Sequence, residues 1–257
     1  MLYIQKETCP PEIREELDHK TGKAEWQRFS DPPSPGEAQL IRKKYFNDLN
    51  KSRIRAALIR EQKGLCAYCM CRIVNDGKST TIEHFVPLSK SKAGALDYDN
   101  WLAVCNGGRN VRLSGSEKRV ICCDAKKENH MATLNPRNAD HMAHIAYYDD
   151  GTMYYSGTDD PDYRTIARDI NEIYGLNGTV NQRTGRSGKD TSTGIVKHRK
   201  DTYIAMFEEL MALAESGELD GDLLHRAHGA LLDDRELEPF VGVKLHVLEM
   251  FMEQLGV

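Results

Sequence analysis

The chain has 257 residues, 40% apolar and 29% charged, the balance of a folded globular protein rather than a disordered one. No apolar run approaches the ~18 residues needed to span a bilayer, and the opening MLYIQKETCPPE lacks the basic and apolar regions of a signal peptide. A cytoplasmic chain without a membrane partner is therefore expected, and in that reducing compartment its seven cysteines point to metal ligation or catalysis before disulfides.

Along the chain, residues 1–37 mix polar turns with isolated aromatics, and SDPPSPG (30–36) reads as a rigid non-helical connector. From Glu37 to about Lys63 the apolar spacing of Leu40, Ile41, Tyr45, Leu49, Ile54, Leu58 and Ile59 predicts a helix, with Gly64 as its stop. A cysteine-rich block fills 65–130. HIAYYDDGTMYYS then predicts a β-hairpin turning at Asp150-Gly151. Amphipathic helices are expected over 162–176 and 195–216, separated by the polar stretch GTVNQRTGRSGKDTSTG, which reads as a loop. The tail is helical again; its VLEMFMEQL segment reads as core or as a seam against a partner. No internal repeat is present.

The net charge of −4 speaks against a nucleic-acid partner until its distribution is read. Residues 51–130 carry 15 Lys+Arg against 8 Asp+Glu, whereas residues 215–257 carry 3 against 10. A basic, cysteine-rich middle is the electrostatic footprint expected where phosphates bind. A merely solvated surface is the competing reading. The acidic tail suits docking on a basic surface or covering of the basic segment.

The chemistry concentrates in the middle block. LCAYCMCRI sets Cys66 and Cys69 two residues apart, so both thiolates can meet one tetrahedral zinc. Cys105 and either Cys122 or Cys123 are the candidates for a second pair. Cys9 and Cys71 have no assignment. IEHFVP places Glu83 beside His84, a carboxylate and an imidazole that a strand interior does not need.

The order CxxC, then EH, then an Asn before an apolar strand, then cysteines running into a helix resembles the HNH nucleases. More closely, GLCAYCMCRI, IEHFVPLSK, LDYDNWLAVCN and CDAKKEN together resemble the HNH subunit of the Septu anti-phage systems, the PtuB family. The motif-bearing likeness covers roughly 60–135, and a weaker one around TIARDINEIYGLNG and IVKHRKDTY extends it toward residue 203. The resemblance implies a ββα-metal core, metal-dependent hydrolysis of DNA or RNA, and a PtuA-like ATPase partner; related pairs accompany a retron reverse transcriptase and its nucleic acid.

Residue by residue, the resemblance makes His84 the general base and Glu83 a metal ligand, where the family usually has Asp. Asn100 becomes the residue that pins the His-bearing loop, and Asp124 the ligand completing the catalytic metal site. Lys127 falls on a phosphate-binding position. Lys126, Arg109 and Lys90 are further candidates for nucleic acid, with Arg112 and Arg119 on the same basic segment. Structural zinc on Cys66, Cys69, Cys105 and Cys123 is implied, with Mg²⁺ or Mn²⁺ as the catalytic ion.

This chain departs from the pattern in its Glu, and in the 17 residues between Cys105 and Cys123, where GGRNVRLSGSEKRV reads as an insertion. Cys123 is chosen over Cys122 because Asp124 then falls in register with the metal position. Asn106 and Asn110 remain rivals for that metal; if they serve, Asp124 is a helix N-cap. His141 and His144 read as surface residues. The expected architecture is α+β and mostly helical: an N-terminal helical region over 1–59, a zinc-stapled HNH core over 60–138, and a hairpin with helices over 139–257. A non-catalytic zinc-containing nucleic-acid-binding or docking subunit is the alternative.

Overall fold

The computed structural model describes residues 1–108, 121–178 and 194–257. The stretch read as a loop and the insertion GGRNVRLSGSEKRV, with Arg109, Asn110, Arg112 and Arg119, lie largely or wholly outside the described residues. The fold is α+β and mostly helical. Helices α1 (Pro11–Thr21), α2 (Ala24–Gln27), α3 (Pro35–Ile41) and α4 (Lys51–Glu61) precede the central hairpin of β1 (Thr80–His84) and β2 (Trp101–Cys105). Helix α5 (Lys92–Ala95) lies between those strands, and α6 (Cys123–Lys127) and α7 (Ala139–Ala143) follow. A second hairpin, β3 (Ile145–Tyr147) and β4 (Met153–Tyr155), leads through α8 (Tyr163–Arg168) to α9 (Ile195–Ser216), α10 (Gly221–Asp233) and α11 (Val241–Leu255).

The single helix expected over Glu37–Lys63 is two. Ser34 and Glu37 form a reciprocal capping box that starts α3. A π-helical turn over Arg42–Phe46 ends that run, and the Asn50 side chain accepts a hydrogen bond from Arg53 N at 3.1 Å to start α4 afresh. The apolar period runs through both pieces, so the break shows only in its caps. The 195–216 helix and the Asp150-Gly151 hairpin form as expected. Gly194 and Gly217 bound α9 with φ of 85° and 75°, a backbone that side-chain-bearing residues resist. Of the tail segment, Leu248 and Phe251 are buried, Met250 and Met252 pack partly against the core, and Leu255 is exposed.

Strands β1 and β2 pair antiparallel with Glu83 opposite Leu102 and His84 opposite Trp101. Trp101, Leu102, Ala103 and Val104 are fully buried. Across them lies α4, whose Ile54, Ala57 and Leu58 bury one face at i, i+3 and i+4. Its last turn also supplies Gln62, which the sequence reading passed over. The Gln62 side chain accepts a hydrogen bond from Ala103 N at 2.7 Å and donates to Ala103 O at 2.7 Å and Leu65 O at 2.8 Å. One buried amide thus substitutes for a third strand along β2 and ties the cysteine loop to it. Among the described residues, no helix is long and apolar enough to cross a membrane.

Replacing Gln62 by Leu keeps the volume and removes the pairing. The stranded Ala103 N–H should cost about 1–3 kcal/mol, read as a lower midpoint in denaturant with an unchanged slope. An unshifted midpoint would show that β2 does not depend on that amide.

Candidate active site and metal centre

Two clusters flank the β1–β2 hairpin. At one end the sulfurs of Cys66, Cys69, Cys105 and Cys123 all lie within 4.8 Å of one another. Local turns bring them there. Cys66 N donates to Cys71 O at 2.9 Å and Met70 N to Cys66 O at 3.1 Å, with Met70 at φ 63°, closing a tight loop around the CxxC. Cys105 ends β2, and its N–H donates to Cys66 Sγ at 3.3 Å. Gly107 then lets the chain pass close to the start of α6: a Cβ there would sit 2.0 Å from Cys122 O.

Sulfur separations of 4.0 Å (Cys66–Cys123) and 3.8 Å (Cys69–Cys105) match the edge of a tetrahedron with Zn–S bonds of about 2.3 Å, roughly 3.8 Å. The four residues therefore fit a zinc ion and can hold one. Their proton equilibria agree with that chemistry. Burial pushes the Cys66 thiol up, but hydrogen bonds from Cys105, Cys123 and their neighbours overcome it and hold Cys66 well below the usual range. Hydrogen bonding to Cys105 and Cys123 pulls Cys69 to about 7. Cys71 Sγ lies 3.3 Å from Cys69 Sγ, yet its hydrogen bonds to Cys105 and the others push its thiol far up. Cys122 is outside the cluster of four, and buried Cys9 lies against Pro10 O.

At the other cluster, β1 delivers Glu83 and His84, and α6 delivers Asp124, into one cleft of about 390 Å³. Asp124 Oδ2 accepts a hydrogen bond from Thr81 Oγ1 at 3.2 Å, so α6 is docked on β1 by the side chain that shares the cleft. Asp124 lies one residue inside the helix, and Cys122 holds the N-cap position. Of its rivals, Asn106 has its amide committed elsewhere, donating to Lys78 O and accepting from Gly108 N.

Glu83 is buried, and burial raises its carboxyl to about 8, aided by a hydrogen bond with Asp124 and opposed by Lys127. Its Oε1 lies 2.7 Å from Lys127 Nζ but off the hydrogen-bonding direction, leaving a buried oxygen without a hydrogen bond. Two adjoining carboxyls, one with an orphaned oxygen, suit a hard divalent cation that would replace the shared proton. The residues fit such an ion.

His84 is half-buried between Phe46, with ring centroids 4.4 Å apart, and Trp101 at 6.0 Å. Burial lowers its pKa to about 4, so the ring is neutral at pH 7. Its Nε2 lies 3.0 Å from Ala95 O. A carbonyl can only accept, so Nε2 carries the proton and Nδ1 keeps a free lone pair. The loop behind the ring is clamped by Asn100, whose Oδ1 accepts from Val86 N at 2.8 Å and whose Nδ2 donates to Val86 O at 2.9 Å and Gly94 O at 2.8 Å.

The expected phosphate ligands need revision. Lys127 is fully buried: it is ion-paired with Glu83 at 2.7 Å and its ammonium donates to His84 O at 3.2 Å, so it braces the end of β1 instead of meeting solvent. A lysine on a helix reads as exposed from sequence; only the packing of α6 on β1 reveals otherwise. Lys126 and Lys90 are exposed, and Arg109 lies outside the described residues. His141 Nδ1 accepts from Asn135 N at 3.2 Å and His144 Nδ1 donates to Asp140 O at 2.8 Å, both beside Tyr155. The cleft also includes Arg42, Phe46, Thr81 and Glu128, none of which the motifs flagged.

Cys123→Ser should abolish zinc retention while Cys122→Ser keeps about one zinc per chain, measured by elemental analysis of the purified proteins. Equal zinc in both would dissolve the four-sulfur assignment.

No curated protein matches the chain. Residues 66–107, from the first cysteine of the cluster through Glu83, His84 and Asn100 to just past the end of β2, match the family model described as HNH endonuclease.

Proposed function

We propose that the protein is a metal-dependent endonuclease that hydrolyses phosphodiester bonds of nucleic acid at the Glu83–His84–Asp124 cleft. The reading is carried by one observation: a neutral imidazole with a free Nδ1 shares a cleft with two adjoining carboxyls, one of them with an orphaned oxygen. Mg²⁺ or Mn²⁺, held by Glu83 and Asp124, would supply charge stabilisation for the pentavalent phosphate.

The chain's own groups do the rest. His84 Nδ1 takes a proton from water as the water oxygen attacks phosphorus. The P–O3′ bond then breaks, and the departing oxygen is protonated from solvent. Ala95 O fixes the tautomer, Phe46 and Trp101 fix the ring plane, and Asn100 fixes the loop that carries Ala95 relative to β1. Lys127 anchors the backbone on which Glu83 and His84 stand and leaves its charge next to the carboxyl pair. The cysteine cluster takes no part in the chemistry; it joins β2 to α6 and so sets Asp124 opposite Glu83.

We further propose that this activity serves anti-phage defence beside an ATPase partner. Support for that finer reading is the likeness of GLCAYCMCRI, IEHFVPLSK, LDYDNWLAVCN and CDAKKEN to the Septu HNH subunits. The acidic C-terminal segment, with 10 Asp+Glu against 3 Lys+Arg over 215–257, is the part suited to docking on a basic surface.

His84→Ala should lower cleavage at least ~10²-fold while the protein stays folded and zinc-loaded. The assay uses single- and double-stranded DNA and RNA, with Mg²⁺ or Mn²⁺ against EDTA, alone and with a co-purified ATPase. Cutting that survives His84→Ala, or that ignores the divalent ion, would reject the proposed chemistry.

A further inference from the structure

We infer that the π-turn Arg42–Phe46 is a phosphate-binding element of the nucleic-acid interface, with Arg42 holding a backbone phosphate next to the scissile one and Lys43 and Lys23 taking the following ones. This rests on the nuclease reading and extends it to a face that carries none of the family's motifs.

The cleft needs a cation for its substrate, and the one expected there is spent: Lys127 is buried and committed to Glu83 and the His84 carbonyl. Arg42 fills that role from outside the motif block. It is exposed, it lines the cleft with His84 and Asp124, and among the described residues its guanidinium has no ion-pair or hydrogen-bond partner. The same turn sends Phe46 against the His84 ring at 4.4 Å, so one element both buttresses the imidazole and presents the cation. Its register is set by Asn47 N donating to Arg42 O at 2.8 Å, a five-residue span. Single π-turns of this kind recur at functional sites.

Lys43, the next residue of the same turn, lines a second hollow with Lys20, Lys23 and Lys44, together with Glu25 and Asp48. The two carboxylates there are taken: Glu25 by Lys44 at 3.2 Å and Asp48 by Lys20. Lys23 and Lys43 remain exposed and without an ion pair among the described residues. Unneutralised cations thus line both the cleft and the hollow reached from one turn, the kind of charge that a polyanionic backbone meets. An Arg fork suits the phosphate nearest the chemistry, where orientation matters, and lysines suit the outer ones as point charges.

The test uses the His84→Ala protein, so that binding is read without cutting. Affinity for labelled single-stranded and duplex DNA and RNA is measured across a salt series at fixed Mg²⁺, with zinc content as a check on folding. Arg42→Gln should weaken binding about equally for all sequences and lower the slope of log K against log salt by about 0.7–0.9, one phosphate contact. Arg42→Lys should keep most of the slope. Lys23→Gln with Lys43→Gln should lower it by about twice as much as Arg42→Gln does, while Arg226→Gln on α10 should leave it alone. In the active protein Arg42→Gln should raise KM. An unchanged slope in Arg42→Gln, with nucleic acid still bound by the parent, would overturn this inference and leave the nuclease reading standing. A parent that binds no nucleic acid at any salt would overturn both.

Discussion

Four sulfur atoms within 4.8 Å of one another cannot all be thiolates unless a cation sits among them. That constraint organises the rest of the molecule. The cysteines come from a turn after α4, the end of β2 and the start of α6, three segments with no continuous secondary structure between them. A zinc ion closing them would supply the kind of stabilisation, about 10–16 kcal/mol, seen in small metal-folded peptides, far more than a two-stranded sheet and a five-residue helix can supply by packing. Once closed, α6 has one place to lie, and Asp124 is carried across to Thr81 and Glu83. A metal held there would act on the candidate chemistry only through that placement.

Lys127 completes the same geometry by electrostatics. Its ammonium is fully buried, a costly position for a charge unless it is paired. The partners are Glu83 and the carbonyl of His84, the two consecutive residues that face the cleft. A lysine on a phosphate would be free to slide with the substrate; this one is locked to the strand. It therefore holds β1 and α6 in one register and offsets one of the two carboxyls, leaving the pair able to take a divalent cation without building up an uncompensated −2 in the interior.

The parts of this site legible in the sequence are those whose chemistry is local. Cys66 and Cys69 meet through a short loop, and Glu83 and His84 are neighbours on a strand. Helix α9 is bounded by glycines, and the second hairpin turns at an Asp-Gly pair, so both were visible. The illegible parts depend on contacts between distant residues. Gln62 looks like an ordinary helix-end residue until β2 lies beside it. Lys127 looks solvated until α6 docks. The break between α3 and α4 hides because the apolar period continues through it and only Asn50 marks the restart. Arg42 stands 41 residues before Glu83, so no motif search centred on the cysteine block could reach it.

The charge distribution takes on a different meaning once the fold is known. The basic excess over 51–130 suggested that the motif block itself meets the phosphates. Yet within that block Lys127 is buried with Glu83, and Arg72 and Lys63 turn toward the α10–α11 connection, donating to Leu237 O at 2.6 Å and to Leu232 O at 2.6 Å. These three charges are structural, tying the hairpin to α6 and to the C-terminal helices. Among the described residues, the exposed cation that lines the cleft is Arg42, from before the motif block. A local charge count therefore locates excess charge along the chain, but burial and pairing decide which of those charges can attract a polyanion, and here they leave Arg42, outside the matched segment, exposed on the cleft.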